Sequence, residues 1–303
     1  MFKRFAVFAA VNIAIIVTIS IVSSIIFRAL GIDPYYMSGG TLNYESLMVF
    51  CFIWGMGGAF ISLLLSKKLV KWTMGVKIID PNTGGQYGDL VRTVHHLAKS
   101  AGLSKMPEVG IYPGQELNAF ATGPSRNNSL VAVSEGLLQH MTRDEVEGVL
   151  GHEVAHIANG DMVTMTLIQG VVNAFVMFFA RIVAFAISQA LRGDDEEGQG
   201  LGWFAHMAVV ILFEILFGIL GSMIVAWFSR QREFRADAGG ARLAGRSKME
   251  AALQKLRQGI ELNSEASPSV ASLKISSKKS KFLSLLSTHP PLEVRIQKLR
   301  TMS

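Results

Sequence analysis

Apolar residues in this chain gather into four long runs separated by stretches of mixed polarity. Residues 5–27 carry no charge and follow Lys3 and Arg4, and residues 46–65 are also uncharged. Residues 162–191 hold one charge, Arg181, and residues 203–228 hold one, Glu214, with tryptophans toward both ends of the run. A helix of ~20 apolar residues spans a hydrocarbon core, so each run predicts a transmembrane helix. The first exceeds the roughly 7–15 apolar residues of a secretory leader, and no small-x-small signal closes it before Arg28. It reads as a retained span. Gly55, Gly57 and Gly58 in the second run would let a neighbouring helix approach closely.

Residues 192–202 between the last two runs are acidic and glycine-rich, a mobile solvated loop that closes a helical hairpin. Arg181 lies twelve residues before Gly193 and Glu214 twelve after Gly202. The hairpin sets the two charges at equal depth, which predicts an ion pair inside the membrane.

The pattern changes between residues 72 and 161, where turn residues at 80–85 and Pro107, Pro113 and Pro124 break the chain into short pieces. Residues 87–101 have helical periodicity and stop at Gly102. Strands are predicted from Glu108, Asn118 and Ser129, then a helix near Glu135 and another after Thr142. Thr-Arg-Asp-Glu at 142–145 is a capping box, with Glu145 at the third helical position.

Composition supports a membrane protein: of 303 residues 50% are hydrophobic and 17% charged, with a mean hydropathy of +0.36. The net charge of +6 comes from clusters on one side of the predicted spans: Lys3 and Arg4, then Lys67, Lys68, Lys71 and Lys77, then Arg230, Arg232 and Arg235. The opposite loops hold only Arg28 and Arg192. By the positive-inside bias the basic side, with both termini, is cytoplasmic. This charge distribution and attraction to anionic lipid account for the basic balance, and there is no nucleic-acid motif. The single cysteine, Cys51, excludes an intrachain disulfide and a cysteine-ligated metal site. Residues 263–281, rich in serine and lysine, are expected to form a mobile loop near the cleft.

The capped helix after Thr142 contains His152-Glu153-Val154-Ala155-His156. Four residues turn a helix by ~400°, so both imidazoles leave one face and can hold a single zinc ion. Glu153, about 100° round, can reach a water in the open metal position as general base. The bland alternative for this five-residue pattern is two satisfied polar side chains on an amphipathic helix. His95, His96 and His140 have no partner at ligand spacing and read as structural or solvent-facing.

The hairpin supplies a third ligand. His156 lies six residues before Met162 and Glu233 five beyond Phe228, so two helices continuing out of the membrane bring Glu233 level with His156. By the same count Asp237, on the face of Glu233, comes level with His152 and could orient its ring. Without the histidines, residues 231–238 would read as a charged juxtamembrane helix. Two histidines, a glutamate and water form a hydrolytic zinc sphere, whereas a closed structural site would use four protein ligands.

These residues resemble the HtpX membrane metalloproteases of bacteria, relatives of the CaaX prenyl proteases. The likeness rests on Gly-His-Glu-Val-Ala-His at 151–156, Arg-Gln-Arg-Glu-Phe-Arg-Ala-Asp-Ala at 230–238, Asn-Ala-Phe-Ala at 118–121 and Thr-His-Pro-Pro-Leu-Glu-Val-Arg-Ile at 288–296. It implies a zinc endopeptidase of the bacterial inner membrane, active on the cytoplasmic side in stress-related quality control of misfolded or damaged membrane proteins. It also implies Glu233 as third ligand, Asn118 on an edge strand that receives an extended peptide, and His289 as donor to the developing oxyanion. On their own, Asn118 reads as a turn asparagine and His289 as a loop histidine before two prolines.

The expected fold is therefore a mainly α-helical integral membrane protein of four transmembrane helices with a cytoplasmic α+β zincin-like protease domain. Residues 1–71 form the first helix pair, 72–161 and 229–303 the two parts of the protease domain, and 162–228 the second hairpin. The expected activity is zinc endopeptidase, with one zinc ion per chain, polypeptide substrates and a lipid bilayer as surroundings. Rival readings are a catalytically silent membrane scaffold and a prenyl-peptide protease, which would have more spans around a chamber. An intramembrane protease is a further rival, but Asn159, Gly160 and Asp161 place the motif just outside the third span.

Overall fold

The structure, a computed structural model, describes residues 2–33, 35, 37–38, 41–191, 201–266 and 285–302. Its chain forms two compact units, Met1–Ser62 with Thr166–Val225, and Leu63–Met165 with Ala226–Ser303. The divisions fall at 62/63, 165/166 and 225/226, rather than the expected 71/72, 161/162 and 228/229.

Among the described residues four helices are long and apolar enough to cross a membrane: α1 (Phe2–Leu30), α2 (Tyr44–Thr73), α6 (Asp161–Ala190) and α7 (Trp203–Ala244). The 42 residues of α7 extend about 63 Å at 1.5 Å per residue, twice a hydrocarbon core of ~30 Å. Its apolar first part belongs to the first unit and residues from Ala226 to the second.

Within the first unit α1 and α2 meet through Ile19, Phe27 and Ile53. A Cβ on Gly55 would lie 2.6 Å from the backbone nitrogen of Ala174, so α2 and α6 touch backbone to backbone there. Gly58, grouped with Gly55 in the sequence reading, has open space beside it. Arg181 of α6 donates to Glu214 of α7 at 2.7 Å and to the Met177 carbonyl at 3.0 Å, and its guanidinium lies over the Phe50 ring. Outward positions such as Ile16, Phe52, Phe175 and Ile215 are exposed, as lipid-facing residues should be. A two-stranded ribbon, β1 (Met37–Ser38) with β2 (Thr41–Leu42), follows α1. Its brevity left no periodic signal in the sequence.

The second unit is built on a sheet of order β3-β4-β6-β5, from β3 (Lys77–Ile78), β4 (Glu108–Tyr112), β5 (Ala119–Ser125) and β6 (Asn128–Ser134). Strands β4 and β6 are parallel, while β3 and β5 pair antiparallel at the two edges. The centre of β6, Leu130 to Val133, is fully buried, consistent with its continuous apolar run. Helices α3 (Gly85–Ser100) and α5 (Arg143–Asn159) share one core with it, in which Val94, Leu97, Val131, Leu150, Val154 and Ile157 are buried. Helix α4 (Glu135–His140) joins β6 to α5. Helix α8 (Arg246–Ala266) lies against α5, and α9 (Leu292–Thr301) against α8 through Met249, Leu253, Ile296 and Leu299.

Helix α5 carries the expected capping box at Thr142 and Glu145. The structure differs beyond its end. The zinc-motif helix does not run on into the third span: Gly160 adopts φ 71°, terminates α5, and α6 begins afresh at Asp161. A left-handed residue reverses the chain at little cost when it is glycine. The 192–202 loop lies outside the described residues through 200; of the 263–281 stretch, the first four residues end α8 and those from 267 lie outside.

Candidate metal centre

The centre is assembled from α5 and α7 where their backbones nearly touch. A Cβ on Gly240 would stand 2.9 Å from the backbone nitrogen of His152, and one on Gly239 2.6 Å from the Ala155 Cβ. Only glycine at these positions lets α7 come so near the histidine face of α5, which is why residues 233 and 237, two turns and one turn earlier, reach that face.

His152, His156 and Glu233 are buried together, each offering a ligand atom within 4.8 Å of the others. The two Nε2 atoms are 3.1 Å apart, His152 Nε2 is 3.5 Å from Glu233 Oε2, and His156 Nε2 is 3.4 Å from Glu233 Oε1. Three ligands at ~2.0–2.1 Å from one tetrahedral ion would stand about 3.3 Å apart. The cluster matches that spacing.

Each imidazole has its own carboxylate behind it. His152 Nδ1 lies 2.9 Å from Asp237 Oδ1, and His156 Nδ1 lies 2.6 Å from Asp161 Oδ2. With both Nδ1–H groups donated to carboxylates, both Nε2 lone pairs point at one another and at a carboxylate. Such a concentration of donors without a proton or cation is repulsive. Glu233 Oε1 is also buried with no hydrogen-bond donor. The residues therefore fit a divalent cation on three grounds: the spacing, a carboxylate behind each ring and an unsatisfied buried oxygen.

Protonation follows the same field. Burial works against charge on His156, but its hydrogen bond to Asp161 and the Glu233 carboxylate beside its ring outweigh burial and hold its pKa up at about 9. His152 is likewise raised, burial being overcome by Asp237 and Glu233. The pocket attracts positive charge.

Two residues around the centre had no role in the sequence reading. Arg295 of α9 is 7% exposed and grips Asp237 with two parallel bonds, Nε to Oδ2 at 2.8 Å and Nη2 to Oδ1 at 2.6 Å, while its Nη1 lies 3.5 Å from Glu233 Oε2. Asp161, the first residue of α6, is 2% exposed. Arginine inside the 288–296 motif was the available signal for the first. For the second it was an aspartate five residues after a histidine, across a glycine.

Glu153 is buried beside the histidines on α5, and its carboxylate has no hydrogen-bond or ion-pair partner among the described residues. His289 Nδ1 stands 3.1 Å from Glu233 Oε2, with 63% of its side chain exposed. Arg230 holds that loop, donating to the Leu285 and Ser287 carbonyls at 3.0 and 2.6 Å. Asn118 immediately precedes edge strand β5; its backbone is bonded to Ser134 and its amide lies 3.5 Å from Glu116. His95 meets the Pro107 carbonyl, and His96 and His140 are exposed, none of them near the cluster's ligand set.

Four membrane-length helices and a buried His-His-Glu cluster define a membrane-bound metallopeptidase. The family model for peptidase family M48 matches residues 86–303. The chain is 56% identical to Protease HtpX of Shewanella loihica over 98% of its own length and 99% of that protein, and 55% identical to Protease HtpX of Shewanella piezotolerans with the same coverage. The crystal structure of S. mikatae Ste24p shares its fold, with a TM-score of 0.60 at 18% identity, over 99% of this chain and 66% of that one. The chain belongs to peptidase family M48, as an HtpX-type protease with a multi-pass membrane fold.

Proposed function

We propose that the chain is a zinc endopeptidase that cuts polypeptides, damaged or misfolded membrane proteins among them, on the cytoplasmic side of a bacterial inner membrane. The observation that carries this reading is the spacing of His152 Nε2, His156 Nε2 and the Glu233 carboxylate, 3.1–3.5 Å apart. These three residues would hold one zinc ion, and Asp237 orients His152. Bound there, zinc supplies Lewis acidity, lowering the pKa of water and polarising the scissile carbonyl.

Glu153, free of other partners, takes the proton of the attacking water and delivers it to the leaving amine. The exposed edge of β5, entered through Asn118, can receive the substrate as an added antiparallel strand and so present its backbone to the metal centre. His289, whose Nδ1 lies 3.1 Å from the Glu233 carboxylate, would donate to the oxyanion. The cytoplasmic assignment rests on the lysine and arginine clusters that flank the spans. The four helices of membrane length favour this reading over a prenyl-peptide protease with a larger membrane chamber.

Detergent-purified Glu153→Gln should keep its zinc and lose casein cleavage by several orders of magnitude. Normal cleavage by that variant would refute the mechanism, and a silent scaffold would show no cleavage by the native chain. Cysteine labelling from each side of membrane vesicles tests the orientation: a residue near Lys77 reached only from the periplasmic face would reverse it.

A further inference from the structure

The two histidines of the cluster are supported unequally. Asp237 behind His152 shares its charge with Arg295, which binds both of its oxygens. Asp161 behind His156 has no such fork among the described residues: Arg235 lies 3.9 Å from its Oδ1 and is 65% exposed. Its hydrogen bond to His156 Nδ1 is the shorter of the two carboxylate contacts, 2.6 against 2.9 Å.

Asp161 reaches His156 because helix α5 ends between them. On one continuous helix, a residue five positions on would sit ~500° round and 7.5 Å along the axis, facing away from His156. Gly160 at φ 71° breaks α5, donates its N–H to the His156 and Ile157 carbonyls, and turns Asp161 back toward the ring. A Cβ on Gly160 would also press on Arg126, 3.2 Å away. The break that ends the metal-binding helix thus delivers the carboxylate that supports its second histidine.

Resting on the zinc reading above, we propose that Asp161 is the positioning residue of His156. It holds the Nδ1 proton, presents Nε2 to the metal, and through a charge less closely paired than that of Asp237 makes His156 the more electron-rich of the two imidazole ligands. The simpler role for an acid at this place is to sit favourably at the positive end of α6. The two roles make different predictions. The helix terminus needs negative charge near it and tolerates a methylene of displacement; the hydrogen bond to Nδ1 does not.

The test uses the full-length chain in detergent, stripped of metal and titrated with zinc against a chromophoric chelator, and separately loaded with cobalt(II) for its visible absorption. Removal of a carboxylate behind a ligating histidine costs about 10–100-fold in metal affinity. Asp161→Asn should bind zinc weaker by that factor and shift the cobalt bands, and Asp161→Glu, which keeps the charge at the start of α6, should still bind more weakly than the native chain. Zinc affinity within twofold of native in both variants, with loss of thermal stability in Asp161→Asn alone, would assign Asp161 to the helix terminus and overturn the proposal. Nitrogen-15 histidine spectra of the zinc-loaded native chain decide the matter without a variant: His156 should be metallated at Nε2 and protonated at Nδ1, and ligation through Nδ1 overturns it. A native chain that binds no zinc would overturn the zinc reading together with this one, whereas native binding with unaffected variants removes this one alone.

Discussion

The Nδ1 atom of His152 lies 2.9 Å from Oδ1 of Asp237, a residue one helical turn beyond Glu233 on the same face of α7. Helix α7 therefore supplies both a direct ligand candidate and the support for another ligand, and its registry against α5 governs the centre.

Arg295 fixes Asp237 and sits near Glu233, so Arg295→Met should leave two buried carboxylates short of their cation. Breaking a buried pair from one side typically costs about 3–5 kcal/mol. A drop in thermal midpoint with weaker zinc retention is expected, largest in the metal-free chain. Unchanged midpoints in both metal states would show that the fork contributes nothing.

Gly240 and Gly239 allow the close approach of α7 to His152 and Ala155. Gly240→Val would force the helices apart by more than a side chain can absorb, since its nearest neighbour is the His152 backbone. Zinc binding should fall by more than tenfold, about 1.4 kcal/mol or more, while far-ultraviolet dichroism shows the helices retained. Native zinc affinity in this variant would mean that the helices do not depend on this contact.

The raised pKa of His156, about 9, implies a definite pH response. An unfolded histidine titrates near 6.5, so the proton on folded His156 stabilises the metal-free chain fully below about pH 6.5. That contribution is lost as pH rises through about 9. Zinc must displace the same proton, so zinc affinity should climb across this window by about tenfold per pH unit for one proton. Isothermal titration at several pH values checks it, and an affinity flat from pH 6.5 to 9 would contradict the assignment of His156.

Arg181 and Glu214 form their 2.7 Å pair within the first unit. Arg181→Leu and Glu214→Leu should each destabilise, and the double variant by less than their sum, with a coupling of about 0.5–3 kcal/mol. Strict additivity in a detergent unfolding cycle would show that the contact carries no energy.

Much of the fold was legible because its signals are local. Four apolar runs, a capping box at Thr142 and three strands with turn residues between them each announce themselves within a few residues. The metal-site geometry was partly legible for a less usual reason: helices entering and leaving a bilayer share a depth, so counting from Met162 and Phe228 placed Glu233 near His156 and Asp237 near His152. The same counting paired Arg181 with Glu214. It failed at Gly160, where one left-handed residue divides an expected single helix into α5 and α6. It also overlooked β1, β2 and β3, two-residue strands too short for alternation to register.

By itself the sequence determined which segments cross a membrane, which helix bears the histidines and which carboxylates lie at matching depth, because hydrophobicity and helical period act on neighbouring residues. Tertiary structure decided that Arg295 locks Asp237 and that Asp161 turns back onto His156. The second contact depends on the left-handed residue Gly160, as the approach of α7 to α5 depends on Gly239 and Gly240. Such relationships join residues up to 58 positions apart and leave no periodic trace in the chain.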